Sequence, residues 1–189
     1  MNKFQVVAAM ALLMLLTACG GGKKVKIMAS GKLKVEGSVV NLEPGTTHNE
    51  EELAVSGDKI TVNDGSKTYD VAVPASGLYI LNLKTDTIVG AYQKIGVEVN
   101  TSKVTQEDLV KKIDSLEQLM AGKNVSIQSR NFCIAPGTIA RISENTQAQI
   151  IGPFLKMPSS FEGGKEYEIY KFSTNKEVHE LVQKLKAFQ

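Results

Sequence analysis

The 189-residue chain has no tryptophan, and aromatic residues make up only 6% of it. It therefore has little material for the aromatic platforms on which sugars and unpaired bases stack. No charge of one sign dominates, because 22 lysines and arginines stand against 20 aspartates and glutamates spread along the chain. Without a basic stripe there is no electrostatic footprint for DNA or RNA, and we expect no nucleic-acid partner.

The sequence also lacks the short motifs that mark common catalytic and cofactor sites. It contains no Gly-x-Ser-x-Gly elbow, no Walker loop, no dinucleotide-binding glycine fingerprint and no Cys-x-x-Cys pair. We therefore expect no cofactor and assign no catalytic residue. In other respects the composition is that of an ordinary globular protein, with 42% hydrophobic and 22% charged residues.

No apolar run is long enough to cross a membrane, but a shorter one stands near the N-terminus. Val6 to Leu16 is apolar throughout and follows Lys3. A spanning helix needs about 20 apolar residues, and the glycines and lysines at 20–24 end the run before that length. This order of a basic residue and a short apolar run is typical of a secretory signal peptide.

Leu16-Thr17-Ala18-Cys19 follows this run and resembles the lipobox of bacterial lipoproteins, in which an apolar residue and two small residues precede an obligatory cysteine. The resemblance covers only the leader. It implies removal of residues 1–18 as a signal peptide, a diacylglycerol thioether on Cys19, and acylation of the new amino group. Two or three acyl chains hold a protein stably at a bilayer, since each buried methylene contributes about 0.8 kcal/mol. We therefore predict lipidation at Cys19, with the membrane as a partner held through the lipid.

Residues 19–26 follow the cleavage site and are predicted to form a flexible tether. The three glycines at 20–22 suit a flexible spacer, and the lysines at 23, 24 and 26 are either solvated or drawn to an anionic leaflet. The lipoprotein resemblance implies a cell-envelope location. Gly20 is not the acidic residue that retains such proteins in the inner membrane, so the outer membrane is favoured in a host with two membranes.

Residues 27–100 carry the alternation of apolar and polar residues that predicts β-strands. The strongest hairpin pattern spans 60–73, with a glycine-containing polar turn in its middle. A second hairpin is predicted at 78–89 and a looser strand at 32–40, whereas the polar and acidic residues 46–52 predict a surface loop. Short strands with regular turns favour a small sandwich or an open barrel.

Residues 101–189 predict an α+β part that begins and ends with a helix. Thr105 and Asp108 form a capping-box pattern, and Thr174 and Glu177 form another. The first helix is predicted to end at Gly122. Its apolar positions at helical spacing are Leu109, Ile113, Leu116 and Met120, and those of the second helix are Val178, Leu181, Val182 and Leu185.

Between the helices, strand patterns at 125–134, 138–143 and 148–151 predict a three-stranded meander. The fold class is therefore α+β, in which a β-rich part is followed by a helix, a meander and a C-terminal helix. The residues leave open whether 27–100 and 101–189 are separate domains or one continuous domain. The apolar, proline-containing stretch 151–158 either packs on the last helix or forms a lip for a partner.

Three side chains in the body could carry chemistry. Cys133 is the one thiol left once Cys19 is acylated, and its apolar strand setting favours a small buried side chain over a nucleophile. His48 lies in the acidic stretch 48–52, and His179 lies on the predicted C-terminal helix. Neither histidine has the paired ligand spacing of a zinc site, so we assign no metal ligand and expect both to be solvated.

An anchor combined with an absence of catalytic motifs favours a lipid-anchored cell-envelope protein that acts as a non-catalytic binding or assembly module. Its candidate partner is another envelope protein. One alternative is an anchored enzyme, such as a hydrolase that uses scattered carboxylates or His48, and another is a structural spacer. A pocket that gathers His48 with Glu50 or Glu52 would support the enzyme, and an exposed mobile loop there would exclude it.

Overall fold

The computed structural model describes residues 22–93, 105–153 and 167–188. In chain order these residues form β1 (Lys23–Ala29), β2 (Lys32–Glu36), β3 (Val39–Glu43), β4 (Asn49–Val55), β5 (Lys59–Asn63), β6 (Thr68–Ala72), β7 (Gly77–Leu83), β8 (Ile88–Gln93), α1 (Gln106–Met120), β9 (Asn131–Ile134), β10 (Thr138–Ser143), β11 (Gln149–Ile151), β12 (Ile169–Thr174) and α2 (Asn175–Lys186). The predicted α+β class is confirmed, with a β-rich part followed by a helix, strands and a C-terminal helix. The predicted leader and Cys19 lie outside the described residues.

The strands form three sheets of four strands each. The central sheet has the order β10-β7-β1-β4, the first outer sheet has the order β2-β3-β5-β6, and the second outer sheet has the order β11-β12-β8-β9. In the central sheet β1 pairs in parallel with β7 and antiparallel with β4. The central sheet combines β10, from 101–189, with strands from the first part of the chain. The second outer sheet combines β8, from 27–100, with strands from 101–189. The two parts therefore share both sheets.

The central and first outer sheets pack face to face around one hydrophobic core. Side chains alternate between the two faces of a strand, so Val25 and Ile27 of β1 point to the same side as Tyr79 and Leu81 of β7. The first outer sheet contributes buried residues to the same core, among them Val40, Ile60 and Val62. These two packed sheets correspond to the sandwich rather than to the open barrel.

The other face of the central sheet carries a second core against the second outer sheet. Leu78 and Ile80 of β7 meet Phe132, Tyr170 and Phe172 there. Because a core lies on each side of it, β7 is buried at all seven positions.

The two helices contact each other. α1 also contacts β9 of the second outer sheet, and α2 contacts β12 of the same sheet. Both begin with the predicted capping boxes, in which the side chains of Thr105 and Thr174 accept hydrogen bonds from the backbone three residues later. Leu181 was predicted on the buried face of α2 but is 43% exposed. It borders a surface cavity that Pro153 also lines, so this part of 151–158 lies beside the last helix, while 154–158 fall outside the described residues.

Two predicted strand pairings are wrong. The segment 78–89 is not a hairpin, because its first strand is β7 in the central sheet and its second is β8 in the second outer sheet. The segments at 125–134, 138–143 and 148–151 contain β9, β10 and β11, but these strands do not form a meander. β9 and β11 occupy opposite edges of the second outer sheet, and β10 lies at an edge of the central sheet. Apolar alternation indicates a strand and a buried face, but it does not specify the sheet.

The predicted hairpin at 60–73 is present as β5 and β6, whereas two polar segments differ from their prediction. Residues 49–52, predicted as loop, begin β4, and residues 23–26, predicted as tether, begin β1. Their charges are paired across the strands, since the ammonium groups of Lys24 and Lys26 lie 2.9 and 3.2 Å from the carboxylate oxygens of Glu52. Charges that suggested exposed loops are thus cross-strand ion pairs on one face of a sheet.

Gly90 of β8 provides a test of the second core. It lies opposite Phe172 of β12, and a Cβ atom at position 90 would lie 2.6 Å from Cγ of that ring. Because Phe172 is 1% exposed, the ring has no room to move away. We predict that Gly90→Ala lowers the free energy of unfolding by about 1–3 kcal/mol, measured by urea denaturation.

Gly57→Ala is the matched control for this substitution. Nothing lies within 4 Å of a Cβ atom at position 57, so we expect its unfolding free energy to stay within about 1 kcal/mol of the wild type. Equal losses in the two variants would contradict the steric explanation.

Candidate functional site

The structure brings His48 and Glu50 together but places Glu52 elsewhere. Nε2 of His48 lies 2.9 Å from Oε1 of Glu50, and the two side chains are 33% and 13% exposed. His48 immediately precedes β4 and Glu50 is two residues further on, so both point to the same side of the extended chain. Glu52 pairs instead with the lysines of β1. His48 is therefore half-buried rather than fully solvated as predicted.

Lys84 is a third charged residue at this place, and sequence analysis did not select it. It follows β7 directly and is only 6% exposed. Its Nζ donates a hydrogen bond to the carbonyl oxygen of Thr47 at 2.6 Å and lies 3.5 Å from that of Ala29. The signal in the sequence was a lysine at the end of an almost wholly apolar run, where a cation is expensive to bury without partners.

Burial shifts the ionisation of all three residues toward their neutral forms. It raises the pKa of Glu50, although the charges of Lys26 and Lys84 oppose that shift. It lowers the pKa of His48, and the charge of Lys84 lowers it further. It also lowers the pKa of Lys84, against the opposing effect of Asp86 and Glu50. Partial burial thus opposes the charged form of each group, and the charge of Lys84 acts on both His48 and Glu50.

Asn82 of β7 fixes the backbone around this site. It is fully buried, and its Nδ2 donates to the carbonyl oxygens of Asp86 at 2.8 Å and Ile134 at 2.9 Å. Its Oδ1 accepts a hydrogen bond from the backbone N–H of Lys84 at 3.1 Å. One amide therefore joins the end of β7, the crossover to β8 and the end of β9.

A cavity of about 560 Å³, here called the Lys84 cavity, opens at the C-terminal ends of β1 and β7. Its volume lies in the range that accommodates small ligands. Apart from one glycine, every lining residue is polar, and five carry hydroxyl groups. The lining consists of Ser30, Gly45, Thr46, Thr47, His48, Lys84, Thr85, Asp86 and Thr174. Such a lining suits a polar ligand whose hydrogen bonds to water it can replace.

The surroundings of His48 bear on whether it could act as a general base. Its Nε2 lies 2.9 Å from Oε1 of Glu50, and its Nδ1 is buried. A general base must come within hydrogen-bond distance of the proton that it removes. The buried Nδ1 does not meet this condition.

The other predicted candidates do not join this site. Cys133 lies half-buried in β9, and burial raises the pKa of its thiol, which opposes formation of a reactive thiolate. His179 is exposed on α2. Within 22–93, 105–153 and 167–188, no three His, Cys, Asp or Glu side chains are placed to hold a metal ion. Over the same ranges no helix has the length and apolarity needed to cross a membrane.

Comparisons of this chain with protein-family models, with curated proteins and with solved structures found no match. A functional assignment therefore rests on the residues of this chain alone.

Lys84→Met tests whether the buried ammonium holds the site together. The variant keeps much of the apolar stem but leaves the carbonyl oxygen of Thr47 without its charged donor. We expect the free energy of unfolding at pH 7 to fall by about 2–3 kcal/mol, measured by urea denaturation. Lys59→Met is the control, because Lys59 pairs with Asp70 at the surface and exposed pairs contribute little. Similar effects of the two substitutions would contradict a structural role for Lys84.

Proposed function

We propose that the protein is a lipid-anchored bacterial cell-envelope protein whose folded body is a non-catalytic binding module, with the Lys84 cavity as its binding site. The leader supports the anchor, because Leu16 to Cys19 stand in lipobox order behind a short apolar run. Gly20 at the position after the cysteine supports the outer membrane in a host that has one.

The spacing between the anchor and the fold supports a body that sits close to the bilayer. β1 begins at Lys23, four residues after Cys19. Four extended residues span about 14 Å at most. A lipid on Cys19 would therefore hold the start of β1 near the headgroups instead of suspending the body on a long tether.

The observation that carries the proposal is the position of the cavity at the far end of the same strand. β1 runs from Lys23 to Ala29, which is about 20 Å at the rise of a β-strand, and Ser30 then lines the cavity. With an anchor at one end of β1, a cavity at the other end would lie on the side of the body away from the bilayer. A site for a water-soluble ligand of the envelope would be open there.

A second candidate function is an anchored hydrolase, and the contact between His48 and Glu50 is the observation that favours it. A histidine oriented by a carboxylate is a recurring general base. The burial of the other ring nitrogen, Nδ1, opposes this alternative, because a general base must come within hydrogen-bond distance of the proton that it removes. Binding is therefore the better supported of the two functions.

Cys19→Ala tests the anchor. We expect the wild-type protein to begin at Cys19, to carry a diacylglyceryl and acyl mass, and to fractionate with membranes. The variant should keep its leader and lack the lipid mass, because no thiol is available at the cleavage site. Intact-mass spectrometry and membrane fractionation measure both properties. Cys133→Ala should behave as the wild type, and an unmodified Cys19 in the wild type would overturn the anchor.

Thr85→Tyr tests the cavity. Thr85 is an exposed lining residue, so a tyrosine there fills the cavity without disturbing a core, and Ser56→Tyr places the same side chain on an exposed position outside it. The proteins are crosslinked mildly in their native membranes, purified, and examined by native mass spectrometry. We expect a bound small-molecule mass with the wild type and Ser56→Tyr that Thr85→Tyr lacks. Identical spectra for all three would rule out the cavity as the site, and a stoichiometric protein partner retained by all three would favour assembly.

A further inference from the structure

A second polar cavity, of about 360 Å³ and here called the Arg130 cleft, lies at the opposite end of the central sheet. Its lining includes Arg130, Ser143, Glu144, Asn145, Glu168 and Tyr170. Ser143 of β10 pairs with Leu78 of β7, and the adjacent Gly77 pairs with Lys23 at the start of β1. Neighbouring strands are about 4.8 Å apart. The edge of the cleft is thus two strands, about 10 Å, from the point where the chain leads back to Cys19.

Glu168 supplies a fixed negative charge in this cleft. The hydroxyl groups of Tyr170 and Ser143 both donate to its Oε1, at 2.5 and 2.9 Å. Burial, followed by the hydrogen bond to Glu168, raises the pKa of Tyr170 to about 12, so this phenol stays protonated and donates at any physiological pH. The carboxylate is therefore held in one orientation by two donors on the same oxygen.

Arg130 supplies a positive charge at the rim of the cleft. Its Cζ lies 4.4 Å from the centroid of the Tyr92 ring, and Tyr92 in turn meets the edge of Tyr170 at 5.8 Å between centroids. A guanidinium group held over an aromatic ring can still direct its N–H fork at an anion. Arg141 lies 3.6 Å from Glu144, which offsets the second carboxylate of the cleft. Arg130 and Glu168 thus remain as one cation and one anion in the lining of the cleft.

We infer that the Arg130 cleft binds the phosphoethanolamine headgroup of a bilayer lipid, with the phosphate on Arg130 and the ammonium on Glu168. The inference rests on the proposed lipid anchor, which would bring this end of the molecule to the bilayer. A guanidinium fork matches two phosphate oxygens, and a primary ammonium donates hydrogen bonds to a carboxylate. A choline headgroup has no N–H to donate, so the cleft discriminates against it.

The first arm of the test uses the mature lipidated protein in detergent micelles. It is titrated with phosphoethanolamine, phosphocholine and inorganic phosphate, and the amide resonances of Arg130 and Ser143 are followed by NMR. We expect saturable shifts with phosphoethanolamine and binding at least about tenfold weaker with the other two. No saturable shift, or equal binding of inorganic phosphate, would overturn the inference.

Substitutions at Arg130 and Glu168 test whether both charged groups contribute to binding of phosphoethanolamine. Arg130→Gln and Glu168→Gln should each weaken phosphoethanolamine binding about tenfold or more. Arg130→Lys keeps the charge but loses the fork and the stacking, and it should bind at an intermediate level. Lys176→Gln, on the first turn of α2 at the other end of the molecule, is the control and should bind as the wild type. Because Arg130 is exposed, its substitution leaves the fold intact even where that of Glu168 disturbs it, and unchanged binding by Arg130→Gln would overturn the assignment.

The second arm separates a lipid from a soluble ligand. The lipidated protein is placed in phosphatidylcholine vesicles with or without an equal amount of phosphatidylethanolamine, and hydrogen exchange is measured over residues 126–131. We expect exchange to slow several-fold with phosphatidylethanolamine in the wild type and to stay unchanged in Arg130→Gln. Binding of the free headgroup without this effect would overturn the lipid as the source.

The two proposals fail separately. Lipid on Cys19 without a saturable titration overturns the headgroup site alone. Titration without lipid on Cys19 overturns the anchor, and with it the bilayer as the source of the headgroup, but not the binding of phosphoethanolamine.

Discussion

β7 is buried on both faces because two hydrophobic cores meet on it, one shared with the first outer sheet and one with the second. A strand in that position has no solvent-facing side, so its backbone must be paired along both edges, by β1 and by β10. Polar side chains can gather only where the strand ends. The Lys84 cavity lies at its C-terminal end, and the Arg130 cleft lies beside its N-terminal end. The location of both polar sites thus follows from the burial of one strand.

Buried polar groups at the two ends of β7 are hydrogen-bonded in different ways. At the C-terminal end, Asn82 and Lys84 satisfy backbone carbonyl oxygens with an amide and an ammonium, which fixes three chain segments around a hydroxyl-rich cavity. At the N-terminal end, two hydroxyl groups converge on one carboxylate oxygen of Glu168. Buried polar groups are nearly always hydrogen-bonded, and here these bonds also set the shape of each site. Both sites are therefore preorganised by the same interactions that stabilise the fold.

Local structure was readable from the sequence because its causes are local. The threonine and acidic residue of each capping box act within one turn, and the hairpin of β5 and β6 is encoded by its own turn and alternation. Sheet membership was not readable, because β7 and β8 look like hairpin partners until two-sided burial separates them. The lysines at 24 and 26 and Glu52 were assigned to a tether and a loop for a related reason. Their ion-pair partners lie far along the chain, so each charge by itself indicated a solvent-exposed segment.

The contact between His48 and Glu50 could be predicted once β4 is known to be extended. The burial of Lys84 could not, because it depends on the sheets that surround β7. Cys19 stays a prediction from the leader.

The first strand of the body is also one of its most central, and this order has a consequence for when the protein can fold. During synthesis β1 emerges long before β7, the strand that pairs with it in parallel, and β10 must follow before the central sheet has its second edge. Such non-local pairing is slow, because closing a long loop costs entropy before the contacts form. Until β7 is made, one edge of β1 has no partner strand. The central sheet can therefore be completed only after Ser143, the last residue of β10, has been synthesised.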